Sequence, residues 1–121
     1  MEGIVLKKSS SMLIDEFVKN AVIQGNATLE GNYKKGNKAS DKLSKIIEGM
    51  KQDINLAKTT LDVLMLSEEP NVKIWACGMA IDIDYKTKEA EQILEELSNS
   101  SELGILSFNA EMSLNVSKGE I

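Results

Sequence analysis

Apolar residues in the segment 61–81, LDVLMLSEEPNVKIWACGMAI, recur at helical spacing on both sides of a polar break. Leucines and a methionine at three- and four-residue steps lead into Ser67–Glu69, and Pro70 follows, already suited to a first helical turn. Beyond the proline, apolar residues occupy the i, i+3, i+4, i+7 and i+8 positions of one stripe: Val72, Trp75, Ala76, Met79 and Ala80. The pattern predicts a hairpin of two helices whose apolar faces pack on other parts of the chain.

A shift of thirty-three positions places this hairpin on the segment that follows it. The shift pairs Leu61 with Leu94, Leu64 with Leu97, Ser67 with Ser100, Glu69 with Glu102, Val72 with Ile105, Trp75 with Phe108, Met79 with Met112 and Ile81 with Leu114. A two-helix period in the thirties is typical of helical repeats, in which a hairpin buries its apolar face only by stacking on the next one. The alternative is an ordinary helical bundle with coincidental spacing.

The rest of the chain predicts further helices around these two hairpins. Residues 1–11 are expected to form a flexible leader in which Ser9, Ser10 or Ser11 caps the first helix. That helix begins near Met12 and either ends near Gly25 or continues to about Glu30, because single glycines do not decide the matter. The other predicted helices span about 32–52, 54–67, 72–81, 87–97 and 103–116. Residues 12–121 are therefore expected to form one all-α domain.

In these helices, large apolar side chains are expected to face the core. On the last helix, the inward residues are predicted to be Ile105, Phe108, Met112 and Val116. Most methionines are expected to fill gaps in the core: Met12, Met50, Met65, Met79 and Met112. Asn37 and Asn109 lie close to apolar seams, where a buried amide needs a hydrogen-bond partner. Each of the two asparagines is expected to cap a neighbouring loop or to contact a binding partner.

Composition excludes several classes of function. The 121 residues suffice for one domain with a core that needs no metal and no disulfide. The chain has no histidine and no arginine, so it lacks a Ser-His or Cys-His nucleophile, a His-ligated metal and a guanidinium fork for phosphate. Its net charge of −5 disfavours nucleic acid and anionic membranes. We expect no catalytic residue, no cofactor, no metal, no nucleic acid and no membrane partner.

Charge is distributed unevenly along the chain. Up to Lys58 there are ten lysines and seven acids, whereas from Thr59 onward there are four lysines and twelve acids. The acidic half predicts a surface for a basic partner, with a solvated acidic face as the alternative. In the second predicted helix a row of lysines indicates either an anion site or a solvated flank: Lys34, Lys38, Lys42 and Lys45.

Cys77 is the only cysteine, and it lies within the apolar pattern of the first hairpin. A single cysteine cannot form an internal disulfide, so we expect a buried, reduced thiol in a reducing compartment. The apolar run Ile4–Leu6 is followed rather than preceded by lysines, unlike a signal peptide, and no segment is long enough to cross a bilayer. These features predict a cytoplasmic protein.

A group of carboxylates follows the first hairpin, with Asp82 and Asp84 two residues apart and Glu89 and Glu91 close behind. The group lacks the glycine and the remaining ligands of a calcium loop. It is therefore interpreted as an interhelical turn or a partner contact rather than a cation site.

Several short motifs occur in a fixed order along the chain: Phe17 to Ala21, Gln24-Gly25, Gly31-Asn32-Tyr33-Lys34, Asn37-Lys38-Ala39, Asp41-Lys42-Leu43, Val72-Lys73-Ile74-Trp75-Ala76 and Phe108-Asn109-Ala110-Glu111-Met112. Together they resemble a family of small bacterial proteins with HEAT-like helical repeats. The resemblance covers about residues 12–118 and departs from the family where an arginine often follows the proline, since Lys73 stands there. It implies a HEAT-like α-solenoid of five to six antiparallel helices. Members found in polymorphic toxin loci, including those of contact-dependent growth inhibition, look like immunity proteins that block a cognate toxin domain.

The resemblance and the acidic half together predict a stoichiometric toxin inhibitor, monomeric and bound 1:1 to a basic toxin domain. Nucleases hold nucleic acid in positive clefts, so a nuclease, with a ribonuclease favoured, is the expected target. The residues expected to contact the toxin are acids on turns and second helices: Glu68, Glu69, Asp82, Asp84, Glu102 and Glu111. One alternative is a helical-repeat scaffold or adaptor for another cellular protein, and another is a small enzyme or metal sensor built on carboxylates.

Overall fold

Six α-helices make up most of the computed structural model, which describes residues 9–119. They are α1 (Ser10–Glu30), α2 (Tyr33–Lys51), α3 (Ile54–Leu64), α4 (Pro70–Asp82), α5 (Thr87–Ser98) and α6 (Ile105–Ser117). A short 3-10 helix, Ser101–Leu103, precedes α6. Residues 9–119 contain no strand, so the all-α prediction with up to six helices is confirmed. Of the leader expected at residues 1–11, positions 1–8 lie outside the described residues.

Helix α1 does not end at Gly25 but continues to Glu30. The hydroxyl oxygen of Ser9 accepts a hydrogen bond from the Met12 amide at 3.2 Å and caps its start. At its other end Gly31 adopts a left-handed conformation with φ 74°, and the Gly31 amide donates to a carbonyl of the last turn. Gly25 lies inside the helix at a close approach to α4, where a Cβ atom would come within 2.9 Å of Asn71 Cβ.

Helix α4 occupies the centre of the fold and packs on α1, α3, α5 and α6. Seven of its residues are buried: Asn71, Val72, Ile74, Ala76, Cys77, Met79 and Ala80. Helix α1 packs mainly on α2 and also contacts α3, α4 and α6. The packing is compatible with a helical-repeat fold. In addition to the contacts between helices adjacent in sequence, the first helix α1 contacts the last helix α6.

Burial follows the predicted spacing of thirty-three residues in the first helices of the two hairpins. Residues thirty-three positions apart are buried together in α3 and α5: Ala57 with Ala90, Leu61 with Leu94, and Leu64 with Leu97. In the second helices the buried residues lie thirty-four positions apart: Val72 with Leu106, Ala76 with Ala110, and Ala80 with Leu114. The two hairpins therefore share one pattern that is interrupted at the turn.

The turn explains the change of register. Residues 65–69 join α3 to α4, whereas residues 99–104 join α5 to α6 and end at Gly104, whose φ is 61°. One extra residue rotates a helical face by about 100°. The inward placement predicted for the last helix is therefore wrong, because its four residues are exposed: Ile105, Phe108, Met112 and Val116. Of the other methionines, Met50, Met65 and Met79 are buried as predicted, whereas Met12 is exposed.

Candidate functional site

One side of α6 carries a continuous row of exposed apolar side chains. Their exposed fractions are 49% for Ile105, 55% for Phe108, 38% for Met112 and 65% for Val116. The opposite side of the same helix is buried through Leu106, Ala110 and Leu114. Single exposed apolar residues are ordinary, but four at three- and four-residue steps form a stripe. We call these four residues the outward face of α6.

A groove of about 790 Å³ runs between α4 and α6 beside the outward face. Met112 and Val116 line this groove and also belong to the outward face, so the two features form one surface. Most of the groove wall is apolar or uncharged, and within residues 9–119 Asp82 is the only ionisable residue that lines it. We call this feature the α4–α6 groove. Its volume lies in the range of ligand-binding clefts.

A hydrogen-bonded amide network fixes one wall of the α4–α6 groove. The side-chain oxygen of Gln24 accepts from Asn71 Nδ2 at 2.8 Å and from Trp75 Nε1 at 3.3 Å. Asn71 Nδ2 also donates to the Ala21 carbonyl at 2.7 Å, and Gln24 Nε2 donates to Thr28 Oγ1 at 3.2 Å. The network locks the rotamers of Gln24 and Asn71 and orients the indole of Trp75.

Trp75 packs against the core and is partly buried, whereas Phe108, its predicted counterpart, is exposed. The core role expected for Phe108 is therefore wrong. Asn37 is exposed on α2, while Asn109 is half-buried and lines the α4–α6 groove. The asparagine that is buried and hydrogen-bonded at the groove wall is Asn71, whose position the periodicity of an almost wholly apolar helix does not single out.

The six predicted contact acids are spread along the two hairpins. Glu68 and Glu69 occupy the turn before α4, and Asp82 is the last residue of that helix. Thirteen helical residues separate the two ends by roughly 20 Å. The acids therefore do not form one patch.

Two of the six acids interact within the protein. Asp82 forms an ion pair with Lys51 of α2. Asp84 adopts a left-handed conformation with φ 56°, and its carboxylate accepts a hydrogen bond from Thr87 Oγ1 at 3.0 Å. Glu102 lies in the turn before α6, and Glu111 is exposed one helical turn after Phe108. Glu102 and Glu111 are therefore the predicted acids that border the outward face.

A second cluster of titratable groups fixes the turn between α4 and α5. The Asp62 carboxylate accepts from the Tyr85 hydroxyl at 2.7 Å and pairs with the Lys86 ammonium at 2.9 Å. The Tyr85 hydrogen bond, followed by that of Lys86, holds the pKa of Asp62 below its usual value. The ammonium groups of Lys58 and Lys86 each lie 5.5 Å from the centre of the Tyr85 ring. These contacts attach the turn to α3, which is a structural role.

The remaining candidate groups are the cysteine and the metal-ligating side chains. Cys77 is buried and free, and burial raises the pKa of its thiol to about 12, so a thiolate nucleophile does not form near neutrality. Within residues 9–119 no three metal-ligating side chains converge. Among the same residues no helix combines the length and the apolar character of a membrane span.

Comparisons of the chain with protein-family models, with curated proteins and with solved structures return no match. The resemblance to HEAT-like immunity proteins therefore stays a prediction. The candidate site rests on geometry alone: an apolar helix face, a groove that opens beside it, and acids at its border.

Proposed function

We propose that this protein is a stoichiometric inhibitor of the immunity type that binds a basic toxin domain through the outward face of α6. The observation that carries the proposal is the exposed apolar stripe with Glu102 and Glu111 at its border. Protein interfaces place apolar anchors at their centre and polar groups at their rim. A partner with an apolar centre and a lysine- or arginine-rich rim complements this arrangement.

Charge favours a basic partner over a second copy of the same chain. A twofold contact between two outward faces would bring Glu102 and Glu111 of each copy close to those of the other. The chain from Thr59 onward already carries twelve acids against four lysines, so self-association would add like-charge repulsion. A basic partner turns the same charges into attraction and faster association.

A toxin with nuclease activity fits this chemistry, because a nuclease must hold polyanionic substrate in a positive cleft. An acidic protein that covers the cleft excludes substrate without any reaction of its own. The absence of histidine and arginine from the sequence agrees with a protein that acts by occupying a surface. We place this inhibition in the cytoplasm, with one inhibitor bound to one toxin domain and a ribonuclease as the favoured target.

The proposal predicts a toxin domain encoded directly upstream of this gene, and co-expression of the protein with that domain tests it. The wild-type chain should restore growth and bind the purified domain in a 1:1 complex. Phe108→Asp should raise the Kd by at least about 30-fold, because it places a carboxylate at the centre of the apolar contact.

Val63→Asp is the matched control, since Val63 is 52% exposed on α3, close to the 55% of Phe108. Equal protection by Phe108→Asp and Val63→Asp would reject the outward face as the binding surface. A scaffold or adaptor would use the same surface for another cellular protein. That alternative is favoured if no neighbouring toxin exists and a different basic protein binds in a Phe108-dependent manner.

A further inference from the structure

We infer that the α4–α6 groove receives an amphipathic basic helix of the partner, with its apolar side chains inserted beside Trp75. The inference rests on the proposed function and specifies which structural element of the partner would be recognised. Three observations support it: the shape of the groove, its mostly uncharged wall and a glycine in the middle of α4.

Gly78 keeps the α4–α6 groove deep. It lies inside α4, and a Cβ atom added to it would meet no atom within 4 Å. Its φ is not positive, so no turn requires a glycine there. A glycine inside a helix is less stable than an alanine, and packing does not explain this one. The effect of Gly78 is to leave open a space that any larger side chain would begin to fill.

The wall of the groove selects apolar side chains. Asp82, its only ionisable residue, is already neutralised by Lys51. A charged side chain inserted in the groove would therefore lose its water without gaining a free counter-charge. The side-chain oxygen of Asn71 accepts no hydrogen bond from the described residues, so one donor, such as an indole N–H or a tyrosine hydroxyl, could bond to it.

The dimensions of the groove suit a helix. Its α6 wall runs from Asn109 to Ser117, about 12 Å or two helical turns, and α4 forms the facing wall. An amphipathic helix in such a groove inserts residues at i, i+3 or i+4 and i+7. The polar side of that helix would lie near Glu91 of α5, whose carboxylate accepts a hydrogen bond at 2.7 Å from Ser117, a residue that lines the groove. Lysine or arginine on the partner helix complements this acid.

Trp75 is the only tryptophan and lines the groove, so its fluorescence reports occupancy directly. The probe is a synthetic helix of about three turns with leucines on one side and lysines on the other, free of tryptophan. Titration with this peptide should shift Trp75 emission to shorter wavelength and saturate at one peptide per protein. The same peptide with glutamate in place of lysine should bind at least about tenfold more weakly, because it is repelled by Glu91 and by the acidic excess of the chain from Thr59 onward.

Two substitutions locate the peptide. Gly78→Phe should fill the groove and weaken binding of the leucine–lysine peptide at least tenfold, whereas Gly78→Ala should stay within twofold of wild type. Gly49→Phe is the matched control, because a Cβ on Gly49, in α2, also meets nothing within 4 Å and Gly49 does not line the groove. Val116→Lys, at a residue that is 65% exposed, should also weaken binding and does not depend on core packing.

Unchanged affinity in both Gly78→Phe and Val116→Lys, with folding verified by circular dichroism, would overturn the inference. The proposed function would still stand if Phe108→Asp abolished protection against the toxin while Gly78→Phe preserved it. If Phe108→Asp and Gly78→Phe both protected as well as the wild type, the proposed function and the role of the groove would both be rejected.

Discussion

Helices α4 and α6 hold the same place in successive hairpins, but the protein covers them to different extents. Positions thirty-four residues apart correspond, so Ile74 corresponds to Phe108 and Cys77 to Glu111. Ile74 and Cys77 are buried, whereas Phe108 and Glu111 are exposed. Other helices pack around α4, and among the described residues nothing covers the corresponding side of α6.

The different exposure of α4 and α6 shows that being apolar and being buried are separate properties of a helix face. Helical periodicity indicates which side of a helix is apolar, and it does not indicate whether the same chain covers that side. Both helices are rich in apolar residues on more than one side. In α4 the excess is explained by its central position, whereas in α6 it lies on the exposed outward face, where we propose that a partner binds. The predictions below test this distinction, beginning with the largest expected effect.

The corresponding pair Ile74 and Phe108 should differ most in stability. Ile74→Ala removes buried methylene groups and should lower the free energy of unfolding by about 2–4 kcal/mol. Phe108→Ala removes a larger side chain, but one that is 55% exposed, and should change it by less than about 0.5 kcal/mol. Urea denaturation of both variants measures the difference. A loss of 2 kcal/mol or more in Phe108→Ala would place the aromatic ring in the core and remove the outward face.

Much of the fold follows from the sequence, because apolar spacing and capping residues are local properties. The starts of α2, α3 and α5 were predicted closely, and the burial of Leu61 and Leu94 follows from their equivalent positions. The error lies in α6, where one additional turn residue rotated the buried side. A comparison at a fixed shift of thirty-three positions does not detect the one-residue insertion in the turn 99–104, because the repeat stays recognisable before and after it.

The candidate site was less accessible to prediction than the fold. The predicted helix over 72–81 already separates Glu69 from Asp82, and the prediction of a single acidic surface is wrong because it ignores the length of that helix. The contact between Gly25 and Asn71, and the groove beside Gly78, depend on which helices meet. Long-range packing of this kind has no local signature, although a glycine inside an otherwise continuous helical pattern indicates a close approach or an opening.

Cys77 and Glu111 occupy corresponding positions, one buried and one exposed, so a thiol at each position gives a second comparison of the two helices. Burial raises the pKa of Cys77 to about 12, above the usual thiol value near 8.5 in an unfolded chain. A group that is neutral in the fold and has a raised pKa stabilises the fold fully below its unfolded pKa, and the contribution is lost as pH rises toward its folded pKa. Stability should therefore fall between pH 8.5 and 12, with about 2 kcal/mol lost through this thiol at pH 10.

Cys77→Ala should lack this part of the pH dependence, and the difference between the two pH profiles isolates it from the titration of lysines. An exposed thiol at the corresponding position of α6 is obtained by combining Glu111→Cys with Cys77→Ala. At pH 8 its thiol should react with a disulfide reagent at least about 100-fold faster than native Cys77, which is accessible only when the fold opens. Similar rates for the two thiols would mean that α4 is not better covered than α6.

Gly25 and Gly78 compare two sides of α4, one closed by α1 and the other open to the groove. A Cβ on Gly25 would lie 2.9 Å from Asn71 Cβ, which cannot move without shifting α4, whereas a Cβ on Gly78 meets no atom within 4 Å. Alanine gains up to about 1 kcal/mol over glycine inside a helix at both positions. At Gly25 overpacking costs roughly 1–3 kcal/mol and strains the hydrogen bond from Asn71 to the Ala21 carbonyl.

The overpacking cost therefore exceeds the helical gain at Gly25, and only the gain applies at Gly78. Thermal denaturation should show a lower Tm for Gly25→Ala and a higher Tm for Gly78→Ala, each by a few degrees for a net change of about 1 kcal/mol. Because the same substitution is made in two long helices, its intrinsic helix preference cancels in the comparison. Changes in Tm of opposite sign would therefore report the difference in packing alone. A lower Tm for Gly78→Ala would mean that the groove is filled by the protein itself and is not available to a partner.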